Sequence, residues 1–294
     1  MNALMSRLTE YEKLMRLDWP IGSLLLFWPT MWAVWLSGNG RPDGGVLWVF
    51  ALGAVLMHSL GCVINDYADR NFDPQVARTR NRPLAARRVA PWEALALAAF
   101  LGAIALLLIW MVMTPCLAWL TGVAAFLALT YPFAKRFLPI PQAYLGVSFG
   151  LAIPMAYAAH QGHAPVAGWV LLVGNMFWSI AYDTEYAMVD RPDDLKIGIR
   201  TSAITFGEHD VAAVMTCYAL AFLFIACGGL LSGMGFPFFA GILAACALAW
   251  RHYRLIRHRE AADCFRAFRG NNAVGAAIFA GIALDYLSRG VLPF

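Results

Sequence analysis

Five stretches of this chain contain no Asp, Glu, Lys or Arg: residues 19–40, 44–65, 94–134, 137–182 and 211–250. A charge at the centre of a bilayer-spanning helix costs about 2.5 to 3.5 kcal/mol, and about 20 consecutive apolar residues cross the hydrocarbon core. The first two stretches are one span long and the other three are two spans long. Each long stretch carries breakers near its middle: Thr114-Pro115, the run from Gly162 to Pro165, and the run from Ser232 to Pro237. These predict tight turns between antiparallel helices. Residues 271–288 supply one more span, so nine are expected.

Composition agrees, with 61% hydrophobic and 14% charged residues where soluble domains average about 25% charged. The expected fold is all-α, a single polytopic membrane domain over residues 1–294. With the N-terminus in the cytoplasm, every Lys and Arg except Arg41 and Arg289 falls on the inner side, as the positive-inside rule requires. The C-terminus is then periplasmic. This topology accounts for the net charge of +4 without a nucleic-acid partner. The first 18 residues have no apolar core, so no cleavable signal peptide is expected. Leu4, Leu8, Tyr11, Leu14 and Met15 predict that residues 1–17 form a helix on the membrane surface. The six cysteines, Cys264 in a cytoplasmic loop and the rest in or beside spans, show no metal spacing and read as small buried residues. His58, in mid-span, reads as a hydrogen-bonded structural residue rather than a ligand.

Two acidic clusters stand out. Asn65-Asp66-Tyr67-Ala68-Asp69 continues to Asp73 at the inner end of the second span, and Tyr182-Asp183-Thr184-Glu185-Tyr186-Ala187 continues to Asp190 and Asp194 at the inner end of the sixth. Asp69 and Asp190 are 121 residues apart, as are Asp73 and Asp194, a spacing that suggests an internal duplication of a four-helix unit. If the helices continue past the membrane edge, Asp66, Asp69 and Asp73 share one face, and so do Asp183, Asp190 and Asp194. Pro192 interrupts the second series. Residues 66–90 and 185–208 are expected to be cytoplasmic loops carrying these motifs.

Stacked carboxylates repel one another and need compensation. Arginines alone could supply it, as a salt-bridged rim. Alternatively, oxygen-only ligands suit magnesium or manganese, and magnesium completes its shell with water and substrate phosphate. Two facing Asp clusters could then hold a diphosphate through bridging metals. Arg78, Arg80, Arg82, Lys135, Arg136, Lys196 and Arg200 follow the clusters or end a neighbouring span, where they could take the remaining phosphate oxygens. A transporter of ions would place its acids near the bilayer midplane; here they lie at one edge.

The two aspartate motifs resemble the paired signatures of the UbiA prenyltransferase superfamily. Arg16 to Gly22, Arg82-Pro83-Leu84, Tyr131 to Arg136, Asp194 to Ile199 and Asn271-Asn272 extend the resemblance along the chain, and Tyr182-Asp183-Thr184 followed by Tyr186-Ala187 places it nearest the branch that prenylates 4-hydroxybenzoate. Trp19, where a lysine or arginine is common, and Pro192 depart from the pattern. The resemblance implies nine helices around a central cavity open to the cytoplasm, in a bacterial inner membrane. It implies transfer of a polyprenyl group from polyprenyl diphosphate to 4-hydroxybenzoate, or to another aromatic acceptor, in ubiquinone biosynthesis. It assigns magnesium and catalysis to Asp66, Asp69, Asp73, Asp183, Asp190 and Asp194. Arg78, Arg82, Lys135, Arg136 and Lys196 are assigned to the diphosphate, and Arg16 and Asn65 to the aromatic acceptor. Membrane lipid is the expected surrounding.

Overall fold

Proline and glycine punctuate the chain where the charge-free stretches predict turns. The computed structural model describes residues 2–76, 78–134 and 136–291, apart from the side chains of residues 2–4 and 197. Every regular element among these residues is helical. Helix α1 (Asn2–Leu14) is followed by α2 (Ile21–Ser37) and α3 (Gly44–Asp69), then α4 (Pro91–Trp110) and α5 (Pro115–Ala134). Pro91, Pro115 and Pro141 open α4, α5 and α6 (Pro141–Gly150), where a missing N–H costs nothing because the first turn leaves it unpaired. Asp43 caps α3 by accepting from the Val46 N–H. Helix α7 (Ala152–Gln161) ends at Gly162, whose φ of 75° is left-handed, a conformation that glycine adopts without steric cost.

Residues 137–161 do not form one continuous helix. The chain breaks at Leu151 between α6 and α7. Pro154 is the cause: it offers no N–H to the carbonyl of Gly150, and its ring crowds that carbonyl. Beyond Gly162, α8 (Val166–Ile197) runs 32 residues. A short α9 (Ser202–Phe206) leads through a 3-10 turn to α10 (Asp210–Leu231), then α11 (Phe236–Ile256) and α12 (Ala261–Ser288). All three breaker runs therefore fall at junctions between helices, Pro115 and Phe236-Pro237 being the first residues of α5 and α11. Cys264, expected in a loop, is buried inside α12, which begins before the predicted span.

Among the described residues four helical stretches are long and apolar enough to cross a membrane: α3, α4, α5, and the run Ser202–Leu231 formed by α9, the 3-10 turn and α10. The apolar α2 is shorter. Trp110 is 74% exposed and Trp119 72%, with Leu107 and Phe126 also bare. Continuous apolar surface of this kind far exceeds what a soluble monomer exposes; the protein is a membrane protein.

The core lies where α2, α8, α10, α11 and α12 meet. Trp32 of α2 and Trp178 of α8 pack with ring centroids 5.3 Å apart, and the Trp32 indole N–H donates to the Gly275 carbonyl on α12 at 3.0 Å. Helices α11 and α12 approach closely because Gly241 faces Gly281; a Cβ on Gly241 would lie 2.8 Å from the Ala277 carbonyl oxygen. Small residues permit such close contact between membrane helices. Helix α1 is amphipathic, as its sequence predicts. Leu14 is buried against Leu60, Val63 and Leu101, with Tyr11 and Met15 alongside, while Met5 and Leu8 are exposed; the Leu4 side chain lies outside the described residues. Arg7 is paired with Glu93 at the start of α4, and Arg88 with Glu10 at 2.7 Å, so α1 is strapped to the segment before α4.

Candidate active site

The last turn of α3 carries Asn65, Asp66 and Asp69. The helix stops at Asp69, and Asp73 opens a 3-10 turn (Asp73–Gln75). The three acids therefore do not share one helix, against the expectation from their spacing. Pro74 explains why the α-helix does not continue to Asp73: it has no N–H for the Arg70 carbonyl, and its ring crowds that carbonyl. The following segment folds back over the acids, held by the Thr79 hydroxyl donating to the Asp73 carbonyl at 2.9 Å. Arg82 on this segment donates to Asp66 at 3.0 Å and to Asp73 at 3.1 Å.

The second cluster is continuous helix. Helix α8 passes through Pro192 to Ile197, so Asp183, Asp190 and Asp194 do lie on one face, and residues 185–197 are helix rather than loop. Arg78 joins the clusters: its Nε donates to Asp190 at 2.8 Å, and its guanidinium lies 4.5 Å from the centre of the Tyr186 ring. Tyr186 also stacks on Phe268 with centroids 4.6 Å apart.

A chamber of about 180 Å³ lies between the clusters, walled by Asp69, Asp73, Asp183, Asp190 and Asp194 with Arg78 and Arg82. Asn65, Tyr131 and Tyr186 stand at its junction with a cavity of about 1250 Å³ that runs among the helices and is lined mainly by Leu, Ala, Gly and Phe. A polar chamber thus opens into an apolar one. Burial pushes the Asp73 carboxyl above its ordinary value; Arg82 pulls the other way, and Asp66 and Asp69 add to the rise. Burial would lower the Arg82 guanidinium, but Asp66 and Asp73 more than offset this and hold its proton more firmly than usual.

Not every expected residue faces the chamber. Asp66 points into the large cavity, because both its oxygens accept from Arg16 at 2.8 Å and one also accepts from Arg82. Arg16, with a left-handed φ of 59°, lines that cavity too. Arg136 donates to the Ala68 carbonyl at 3.2 Å and lies against Phe72 and Phe133. Lys196 turns away: it is 72% exposed and pairs with Asp193 at 3.0 Å, since the unbroken helix puts it about 200° around from Asp194. Lys135 lies outside the described residues. Trp19, on the large cavity, has the Arg269 guanidinium 5.1 Å from its ring centre, so a positive charge still reaches that place.

Among the described residues no three Asp, Glu, His or Cys form a preformed metal cage. Magnesium does not need one, since it takes one or two carboxylates and leaves the rest of its shell to water and phosphate. The chamber's oxygen donors fit that habit. Tyr131 and Gln142, which sequence reasoning passed over, also line the chamber. Tyr131 belongs to the run that ends at Arg136. Gln142 is a lone amide in an apolar stretch, and its Oε1 accepts from the Ser202 N–H at 3.1 Å. His58 is hydrogen-bonded, Nδ1 lying 2.9 Å from the Ser23 hydroxyl, although it does line the large cavity.

Known proteins share this fold. Solved structures with the same fold include the apo structure of a UbiA homolog from Aeropyrum pernix K1, with a TM-score of 0.79 at 23% identity over 90% of this chain and 97% of that one. A UbiA homolog from Archaeoglobus fulgidus bound to GPP and Mg2+ matches with a TM-score of 0.69 at 17% identity over 93% and 99%. At the sequence level, the 4-hydroxybenzoate octaprenyltransferase of Azoarcus sp. (strain BH72) is 61% identical over 97% of this chain and 99% of its own. The enzyme of the same name from Aromatoleum aromaticum (strain DSM 19018 / LMG 30748 / EbN1) is 59% identical over 97% of each. The UbiA prenyltransferase family model matches residues 26–278, and the chain belongs to that family.

Proposed function

We propose that the protein transfers a polyprenyl group from polyprenyl diphosphate to the ring carbon ortho to the hydroxyl of 4-hydroxybenzoate, a step in ubiquinone biosynthesis. The observation that carries this reading is the acid-lined chamber opening into a long apolar cavity: one place for a diphosphate and one for a prenyl chain. The identity of about 60% to enzymes of that activity supports the choice of acceptor.

In this reading Asp69, Asp73, Asp183, Asp190 and Asp194 would hold magnesium. Bound magnesium would neutralise the diphosphate and make it a better leaving group. Arg78 and Arg82, which pair with Asp190, Asp66 and Asp73, would take phosphate oxygens, joined by Lys135 and Arg136. Asp66 keeps Arg16 oriented in the cavity, where Arg16 and Asn65 hold the acceptor. The allylic C–O bond ionises, the ortho carbon attacks the resulting cation, and the ring proton leaves to diphosphate or a neighbouring Asp. Apolar walls keep water from quenching the cation. Tyr131 and Tyr182 line the cavity, where an aromatic ring can stabilise a cation; the Tyr182 ring also packs on Trp178 and the Tyr186 ring is engaged by Arg78 and Phe268.

We further infer nine spans in a bacterial inner membrane, with the site at the cytoplasmic side, the N-terminus cytoplasmic, the C-terminus periplasmic, and one domain throughout. The helices match the nine segments when α6 and α7 count as one broken span. The test is direct. Purified, folded Asp69→Ala and Asp190→Ala are expected to lose transfer of prenyl to 4-hydroxybenzoate by at least about 10³-fold. Near-normal turnover in either would remove the metal assignment.

A further inference from the structure

The second aspartate motif has a polar residue on its far side that the chemistry does not use. Glu185 is fully buried. On a helix it lies about 200° from Asp183 and about 180° from Asp194, facing α10, α11 and α12 instead of the chamber. Its Oε1 is 3.0 Å from the Tyr218 hydroxyl of α10, and its Oε2 accepts from the Asn271 amide of α12 at 2.9 Å. Asn271 Oδ1 in turn accepts from the Trp178 indole N–H at 2.8 Å, and Tyr218 lies 2.8 Å from the same oxygen and 2.9 Å from Nδ1 of His252 on α11. Four helices are tied at one point, and all five side chains are buried.

We infer that this knot is the positioning device of the active site: Glu185 fixes the rotation of α8 about its axis, and with it the aim of Asp183, Asp190 and Asp194 into the chamber. The inference rests on the reading that these aspartates hold the metal and diphosphate. Aromatic rings pack around the knot, Trp178 on Trp32 and Tyr218 on Phe222, and the hydrogen bonds add fixed directions to those contacts. A hydrogen bond fails once its atoms move beyond about 3.5 Å, so the five-member network has one register. The indole of Trp178 can only donate, which orients the Asn271 amide and makes its Nδ2 the donor to Glu185. Because Glu185 and the aspartates share one rigid helix, a turn that frees the first misdirects the others. Displacement of about 1 Å at a reacting centre can cost 10²-fold in rate.

Glutamine fits the same place. Its oxygen accepts from Asn271 Nδ2, its N–H donates to the Tyr218 oxygen, and the Tyr218 proton goes to Asn271 Oδ1. Leucine fills similar volume and makes none of these bonds. The experiment compares Glu185→Gln, Glu185→Leu and Tyr218→Phe in detergent or lipid discs, measuring kcat, the KM for each substrate, the magnesium concentration giving half-maximal rate, and Tm. Asp285→Ala is the control for simple destabilisation, since Asp285 caps the far end of α11 by accepting from the Gly235 N–H at 2.6 Å.

Glu185→Gln is expected to stay within about 2-fold of wild type. Glu185→Leu and Tyr218→Phe are expected to lower kcat roughly 10- to 100-fold and raise the magnesium requirement several-fold, with the KM for 4-hydroxybenzoate unchanged. Asp285→Ala is expected to lower Tm and leave the magnesium requirement alone. Folded Glu185→Leu with wild-type kcat and magnesium requirement overturns the inference. So does a Glu185→Gln variant as impaired as Glu185→Leu, or an Asp285→Ala variant whose magnesium requirement rises equally at matched loss of Tm. Asp190→Asn, assayed alongside, separates the two readings. If it is inactive while Glu185→Leu is normal, the knot alone is wrong; if it is fully active, the site assignment fails and the knot has nothing to aim.

Discussion

Arg82 bridges two carboxylates from different segments, Asp66 at the end of α3 and Asp73 in the turn beyond it. Its side chain is 17% exposed and Asp66 is 1% exposed, so solvent screens the pairs little. Removing one partner of a buried pair leaves an uncompensated charge, worth about 3 to 5 kcal/mol. Arg82→Ala is therefore expected to lower stability by roughly 3 kcal/mol and to abolish transfer. Arg82→Lys is expected to recover only part of the stability and little activity, because an ammonium cannot present the planar fork that reaches two acids at once. Thermal unfolding and turnover of both variants check this; full rescue by lysine would show that charge alone suffices. The sequence made Arg82 visible as a base following an acidic cluster. It did not reveal a role for Glu185, which lies among the motif's aspartates in sequence but faces away from them once the helix is seen from both sides. Tyr218 lies in an apolar run, but His252 stands between Arg251 and Arg254 and Asn271 beside Asn272, and only packing brings them together.

At the scale of elements, the periodicity of Asp183, Asp190 and Asp194 reads correctly as one helix face, because Pro192 sits at an exposed position where α8 passes through it. The same reasoning fails for Asp66, Asp69 and Asp73, where Pro74 ends the helix; the signal was present one residue after the last acid. Two elements offer tests. Gly241→Val is expected to force α11 and α12 apart, given the 2.8 Å approach of a Cβ to the Ala277 carbonyl, and overpacking of this kind costs about 1 to 3 kcal/mol. A Tm equal to wild type would mean that the helices yield without penalty. The strap on α1 should respond to pH. Burial alone would raise the Glu10 carboxyl, but Arg88 and Lys13 more than offset it and hold it below its usual 4.5. A carboxylate lowered on folding contributes stability that is present above pH 4.5 and lost as pH falls through the lowered value. The protection of α1 amides against hydrogen exchange, taken relative to the intrinsic rate at each pH, is thus expected to fall below pH 4.5, and Arg88→Ala to lower it already at pH 7. Protection that is flat with pH in the wild type would show that Glu10 does not hold α1.

The whole molecule works as a polar chamber joined to an apolar hall, and the join determines what the protein can process. Leu95, Leu106 and Leu129 line the large cavity, and each is about half exposed, so the hall opens between α4 and α5 onto the lipid-facing surface. Helix α4 packs mainly on α3, while α5 packs on α3, α6 and α7, which leaves that side without a seam of interlocked side chains. A prenyl tail longer than the hall can pass out there and rest among lipid chains, where its transfer is nearly neutral because both surroundings are hydrocarbon. Gly102 of α4 lines this route, and a Cβ built on it meets no atom nearer than Leu60 at 3.9 Å, so a larger side chain has room to extend into the passage without unfolding the helix. Gly102→Phe is expected to keep turnover of geranyl diphosphate within about 3-fold while lowering that of octaprenyl diphosphate by roughly 10-fold or more, a discrimination of at least about 0.7 kcal/mol. The ratio of kcat/KM for the two diphosphates, measured in the same preparation, reads this directly. Equal loss for both chain lengths would place the tail elsewhere in the bundle.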